Sequence, residues 1–234
     1  MNTVHIINNI RTLKEKTRPK RKKVYSVHIE TKKYNMKQTK KAYHHGNLAE
    51  SLLDAVDELA TKFGLEAVTL RACAKIVGVS PSSAFRHYSD KRALLTAFAT
   101  KALHQLSDAM ETAKQQAIKE ERDAFLAVGL AYIEFALDKP AFFRAMWREE
   151  TIYTNDEPYV QATKQLSSHL QSGFAETIED DDPNSFSPQE LLAWSSVHGL
   201  ANLFVDGPVG NGQTKEQQMG MALEMIVALA PAFE

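Results

Sequence analysis

From Asn47 onward, apolar side chains return every three to four residues with no useful stretch of every-second-residue alternation, and this restricts the fold to helices. Leu48, Leu52, Ala55, Val56, Leu59, Ala60 and Phe63 form the first stripe and predict a helix over 48–63. Asn47 and Glu50 are spaced as a capping box at its start, and Gly64 is its stop. A shorter helix is expected over 70–77 with Thr69 as its cap, broken by Gly78-Val79-Ser80. Ser80 then caps a third helix over 81–88, where Pro81 suits the first turn because its missing amide hydrogen would have had no helical partner. Two short helices joined by a tight glycine turn make a helix-turn-helix, here over 69–88.

Ser89-Asp90 opens a long fourth helix that runs toward Ala117 through Leu94, Leu95, Phe98, Leu103 and Leu106. Further helices are expected over 121–137, 141–147, 159–178, 188–205 and 215–229. The breaks between them hold Pro, Gly, Asn or Asp, which supply turn geometry. The fold class is therefore all-α. At 234 residues with 44% apolar side chains, the chain can bury a sizeable core.

Charge divides the sequence more sharply than its near-zero total suggests. Residues 1–45 hold 13 Lys and Arg against Glu15 and Glu30, hence 13 − 2 = +11, and the remainder is 15 − 27 = −12. A block this basic, with Lys20-Arg21-Lys22-Lys23 at its centre, suits phosphate backbones through counterion release. It also reads as a solvated, disordered tail, and translation from Met36 would remove most of it. No run approaches the roughly 20 apolar residues of a membrane span, so no membrane partner is expected. The single cysteine, Cys73, excludes an internal disulfide and a cysteine-rich zinc site, which fits a reducing, cytoplasmic setting.

Over residues 64–94, the order Gly64, Thr69-Leu70-Arg71, Ala74, Gly78-Val79-Ser80, Phe85-Arg86-His87-Tyr88 and Lys91 resembles the DNA-binding signature of the TetR family, without gaps. The lead-in Tyr43-His44-His45-Gly46-Asn47-Leu48 is similar to a run that precedes the first helix in many members, so the resemblance spans about 55 residues. It implies an N-terminal three-helix head over 46–92 that binds double-stranded DNA. It also implies a larger helical domain over 93–234 for ligand binding and dimerisation, with the last two helices forming most of a homodimer. Residues 1–45 then form a basic arm ahead of both.

Carried over position by position, Thr69 would touch a phosphate, the third helix would enter the major groove, and Lys91 would hold a second phosphate at a helix N-terminus. Ser80, Pro81, Ser82, Ser83, Phe85, Arg86, His87 and Tyr88 complete the expected interface. Three departures change its readout. Phe85 replaces a common tyrosine and loses its hydroxyl, Pro81-Ser82-Ser83 stands where Lys-Gly-Thr is frequent, and Arg86 replaces His or Trp. Arg86 is thereby a candidate for a bidentate guanine contact.

Each of these residues also has an ordinary reading. Thr69 and Ser80 are helix caps in any such sequence, Arg86 suits a solvated surface, and His87 suits packing under the turn. Phe85 and Tyr88 suit core or backbone support, and Cys73 a small buried hydrophobe on the second helix. His44 and His45 have no Cys or carboxylate at ligand spacing, so no metal or other cofactor is expected.

In the body, Phe142, Phe143, Met146 and Trp147 cluster beside Arg144 and Arg148. Trp194 and His198, four apart, share a helix face, and Gly199 permits close approach of a neighbour. The Trp194-x-x-x-His198-Gly199 run resembles a C-terminal domain class within the family. Phe142, Met146, Trp147, Phe174, Trp194 and His198 are the expected lining of a pocket for a small apolar or aromatic effector, with core packing as the ordinary reading. The alternative controller is a protein partner. An enzyme is not expected, since no paired carboxylates, Ser-His-Asp order or phosphate-cradling glycine loop stands out.

Overall fold

A computed structural model describes residues 47–171 and 186–232, all within one compact unit. Its α-helices are α1 (Leu48–Phe63), α2 (Leu70–Val77), α3 (Pro81–Phe85), α4 (Lys91–Lys119), α5 (Ala124–Asp138), α6 (Pro140–Met146), α7 (Glu157–Gln171), α8 (Pro188–Val205) and α9 (Lys215–Leu229). Short 3-10 turns follow α1, α6 and α9, and no strand occurs among the described residues. The all-α expectation holds. The arm over 1–45, the lead-in over 43–46, Phe174 and the far end of the expected 159–178 helix lie outside the described residues.

The caps explain where most helices begin. Asn47, Thr69, Ser80, Asp90, Asp123, Ser187 and Thr214 each accept the amide of the residue three positions on, one of the donors a helix start leaves free. Ser187 with Glu190 and Thr214 with Gln217 close full capping boxes, and α8 and α9 span the expected residues. The expected box at Asn47 is only half made, because the Glu50 carboxylate turns away to pair with Lys101 on α4.

Several boundaries differ from expectation for local reasons. α3 stops at Phe85 rather than Tyr88, because Asp90 must be extended to cap α4 and the Tyr88 hydroxyl is drawn back to the Ala49 carbonyl at 3.4 Å. α4 ends at Lys119, and α5 starts at Ala124 rather than Glu121. Glu121 takes a left-handed φ of 54° that no helix continues through, and Arg122 donates back to the Ala117 carbonyl at 2.8 Å. α6 is shifted one residue toward Pro140, which occupies its first turn. α7 begins at Glu157, with Pro158 inside its first turn rather than in a break.

α4 is the spine of the fold, packing on α5, α6 and α7, while α5 carries α8 and α9 on its other side. Leu94, Leu95, Phe98, Ala102, Leu103, Leu106 and Met110 of α4 are fully enclosed, together with Tyr132, Ile133, Phe143 and Met146. Phe98 and Phe142 stack with centroids 4.2 Å apart at the junction of α4 and α6. Truncating any of these large side chains to alanine removes about 2–5 kcal/mol. Gly129 lets α5 approach α9 closely, since a Cβ there would lie 3.0 Å from Ile226 Cδ1.

The first three helices are tied to this spine by polar groups as well as packing. Lys91 Nζ donates to the Leu65 and Glu66 carbonyls at 3.1 and 3.0 Å. Arg148, just past α6, pairs with Glu66. Arg92 Nε donates to the Ile152 carbonyl at 2.6 Å, and its guanidinium lies over the Tyr153 ring. The Tyr153 hydroxyl in turn donates to Asp90 at 2.9 Å, the same carboxyl that caps α4. The Ala93 amide and then the Tyr153 hydroxyl hold that carboxyl below its usual range.

Candidate nucleic-acid interface and ligand cavity

Gly78 makes the turn between α2 and α3 in the left-handed region, φ 79° and ψ 26°, which is accessible to glycine at little cost. The turn delivers Ser80 as the cap of α3, with its oxygen 3.2 Å from the Ser83 amide. Ala84 is the single buried side chain of α3, so the helix seats on α2 by one small residue and turns the rest outward. Ser80, Pro81, Ser82, Phe85, Arg86 and His87 are exposed, and Ser83 and Tyr88 are half-buried. The segment 81–88 is thus presented to solvent rather than packed inside.

Ser80, Ser82 and Ser83 form a cluster of hydroxyls at 2.8 and 2.9 Å, and Arg86 Nη2 donates to Ser83 Oγ at 3.2 Å. Thr69 caps α2 and keeps an exposed position. Lys91 is half-buried, and its ammonium already serves two backbone carbonyls. Tyr88 braces α1, with burial pushing its phenol up to about 12, while Phe85 projects from the surface at 45% exposure. Cys73 is fully enclosed, and burial raises its thiol to about 11, the state of a small hydrophobe rather than a reactive thiolate.

Charge completes the face. Residues 67–89 contain Arg71, Lys75 and Arg86 and no acidic residue, a local balance of 3 − 0 = +3. All three are exposed and form no ion pair among the described residues, whereas the acidic groups of the head sit on α1, at Glu66 and at Asp90. Arg71 stands inside the family motif and Lys75 outside it, and neither was expected at the interface; the absence of acids over 67–89 is the sequence signal that could have found them. Exposed, unpaired cations around a short outward helix suit phosphates at the rim of a groove and base edges within it.

In the body, Trp147, Trp194 and His198, three of the residues expected to line a pocket, come together. Their rings lie 4.9 Å apart for Trp147 with His198, 5.8 Å for the two indoles and 6.1 Å for Trp194 with His198. Asn202 Nδ2 donates to His198 Nε2 at 2.8 Å, so the neutral ring carries its proton on Nδ1 and donates it to Tyr132 Oη at 2.8 Å. Burial holds His198 below its ordinary value and drives the Tyr132 phenol well above its own. The indole N–H groups of Trp147 and Trp194 approach Tyr132 and partly offset that rise, yet neither closes a hydrogen bond.

A cavity of ≈ 310 Å³ opens beside this cluster, between α5, α8 and α9. Trp194 lines it, with Phe125, Val128, Val197, Ile226 and Glu190. Phe142 and Met146 are instead enclosed in the core, where Met146 offers its carbonyl to the Tyr159 hydroxyl. Trp147 and His198 stand behind Trp194 rather than on the cavity wall. Glu190 was missed by sequence reasoning, which reads Ser-Pro-Gln-Glu as a helix start and nothing more.

A helix-turn-helix with an acid-free outer face, mounted on a larger helical body, defines the class as DNA-binding transcription regulators. The comparisons agree. Residues 52–98 match the family model for bacterial regulatory proteins of the tetR family, and residues 125–228 match the tetracyclin repressor-like C-terminal domain. The chain is similar to the uncharacterized HTH-type transcriptional regulator YobS of Bacillus subtilis (strain 168), 26% identical over 56% of this chain and 68% of the relative. Among solved structures, a protein of unknown function from Rhodococcus sp. RHA1 is 26% identical, with a TM-score of 0.62 over 83% of this chain and 96% of that one. The TetR family transcriptional regulator PfmR from Thermus thermophilus shares the fold at a TM-score of 0.51 and 20% identity, over 75% and 97% of the two chains. The chain belongs to the TetR family of transcriptional regulators.

Proposed function

We propose that the chain is a homodimeric repressor that grips a palindromic operator with two heads, one per major groove, and lets go when a small effector fills the cavity of its body. Residues 46–92 act as the reading head and 93–234 as the sensing and dimerising part. Half-sites one turn apart would set the recognition helices roughly 34–36 Å apart. Arg86 is the base-reading residue, while Arg71, Lys75 and Thr69 hold phosphates.

One observation carries the regulatory half of this reading. α8 and α9 line the cavity with Trp194, Val197 and Ile226, and turn Leu192, Leu203, Leu223 and Val227 outward on their other side, exposed by 40–54%. A second copy laid on that apolar face covers surface that a monomer would otherwise leave wet. A ligand between α5 and these helices therefore bears on the elements that set one head against the other. Ligand and operator then oppose each other by one coupling energy.

The test is a footprint on the DNA flanking the protein's own gene, with and without candidate compounds. Protection of a two-fold site that fades with one compound supports the reading. Protection indifferent to every compound points to a protein partner, and the absence of any specific protection overturns the regulator reading. Repeating the footprint without residues 1–35 separates the arm: if all sequences weaken alike and the salt dependence flattens, the arm is an electrostatic aid.

A further inference from the structure

Among the described residues, Glu190 is the one carboxylate of the body that is almost wholly enclosed, at 2% exposure. Its Oε2 accepts the Ser187 amide at 2.7 Å and completes the capping box of α8. Its Oε1 is shut off from solvent and has no hydrogen-bond partner among the described residues. A buried acceptor left in that condition costs free energy, and a charged one costs more. The capping role does not account for it, since Gln217 performs the same service for α9 without a charge.

The surroundings say what would satisfy it. Glu190 lines the ≈ 310 Å³ cavity, whose other walls are mainly aromatic and aliphatic. Trp194 is one turn further along α8, and Phe186 stacks on it with centroids 5.3 Å apart. An indole face and a buried carboxylate one helical turn apart are the two features that recognise an ammonium group, the first through its π-face and the second through a charge-assisted hydrogen bond. Lys114, His169 and Asp123 also stand on the wall. Asp123 Oδ1 is engaged in capping α5, and His169 Nδ1 lies 3.4 Å from Glu111 Oε2. An anionic ligand would bring its charge beside the enclosed Glu190 carboxylate, whereas a protonated amine supplies both the missing donor and the opposite charge.

We propose that the effector is an organic amine: a protonated nitrogen that reaches the Glu190 carboxylate, carried on an apolar or aromatic body that fills the space between Trp194, Val128 and Ile226. This rests on the effector reading given above and narrows it to a chemical class.

Three probes of one shape test it: 4-phenylbutylamine, 4-phenylbutan-1-ol and 4-phenylbutyrate, titrated into the full chain at pH 7. Of the two tryptophans of the chain, Trp194 lines the cavity and Trp147 packs behind it, so intrinsic fluorescence reports occupancy directly. The amine is expected to bind at least about tenfold more tightly than the alcohol, and the acid more weakly still. Glu190→Gln keeps an oxygen for the Ser187 amide and so keeps the cap, and it should erase the amine's advantage while leaving alcohol binding within about twofold. The proposal is overturned if the alcohol or the acid matches the amine, if the advantage survives in Glu190→Gln, or if none of the three binds at millimolar concentration. Operator footprinting on the same preparation distinguishes the two levels: specific protection with no amine preference removes only the ligand class, and no protection removes the regulator reading whatever the amine does.

Discussion

Arg86 spends one guanidinium donor on the neutral Ser83 hydroxyl in the free protein, a contact that a guanine edge can replace with two. Arg86→Ala should therefore lower affinity for the operator by about 1–3 kcal/mol while hardly changing affinity for unrelated DNA, which parallel titrations on the two DNAs would reveal. Arg71→Ala and Lys75→Ala should weaken both DNAs alike and reduce the slope of log affinity against log salt by about one per residue. A second expectation concerns His198, whose proton affinity is lowered by burial against Tyr132, Phe143 and Trp147. In the unfolded chain the ring takes up a proton near the ordinary value of about 6.5, whereas in the folded chain it resists until the pH is lower. Stability is thus intact above that ordinary value and declines as the pH falls below it toward the folded value. Melting temperatures measured from pH 7.5 down to 5 should show this decline, and His198→Asn, though less stable overall, should show a shallower one. An equal slope in the variant would assign the acid sensitivity to other groups.

Helix ends give predictions of opposite sign from one geometry. Gly78 closes α2 in the left-handed region, with no atom within 4 Å of where a Cβ would stand. Gly78→Ala thus costs only the backbone preference, about 1–2 kcal/mol. Glu121 adopts a similar left-handed φ after α4 without being glycine, so Glu121→Gly should stabilise the fold by about 0.5–1 kcal/mol. Urea denaturation of the two variants checks both signs. The same two sites show why some elements were legible in the sequence and others were not. Gly78 announces its turn by residue type, and the Ser187 and Thr214 boxes announce α8 and α9. Glu121 does not, because the turn there is imposed by the packing of α5 on α4 and overrides a residue that ordinarily favours helix. The end of α3 was hidden for a related reason, as it depends on Tyr88 reaching a carbonyl 39 residues earlier in the chain. For the site, type and order sufficed to find the outward face of α3 and to bring Trp194 and His198 together. Glu190 needed the third dimension, since its significance lies in the unmet oxygen rather than in its position along α8.

A single head of this size, with one five-residue recognition helix and three unpaired cations around it, offers few contacts to a duplex, so the proposed operator binding draws its strength from joining two. The apolar side chains exposed on α8 and α9 fit that requirement, because a stable interface needs about 800 Å² from each partner and these helices offer Leu191, Leu192, Leu203, Leu223 and Val227 toward it. Gly199 and Gly220 add to the fit, since the space around each is open and the partner's backbone can come close. Leu203 and Leu223 are 44% and 42% exposed, so exchanging each for glutamate should leave the monomer fold within about 0.5 kcal/mol. In a dimer the same exchange buries two like charges against their symmetry mates without partners, which costs far more. Leu203→Glu/Leu223→Glu should therefore sediment as a folded monomer with unaltered far-ultraviolet circular dichroism. Its operator affinity should fall by a factor on the order of 100, the part owed to linked binding, and its salt slope should drop to about half. A variant that stays dimeric would move the interface off α8 and α9. One that becomes monomeric yet binds the operator undiminished would show that a single head suffices, and the idea that an effector acts by resetting one head against the other would go with it.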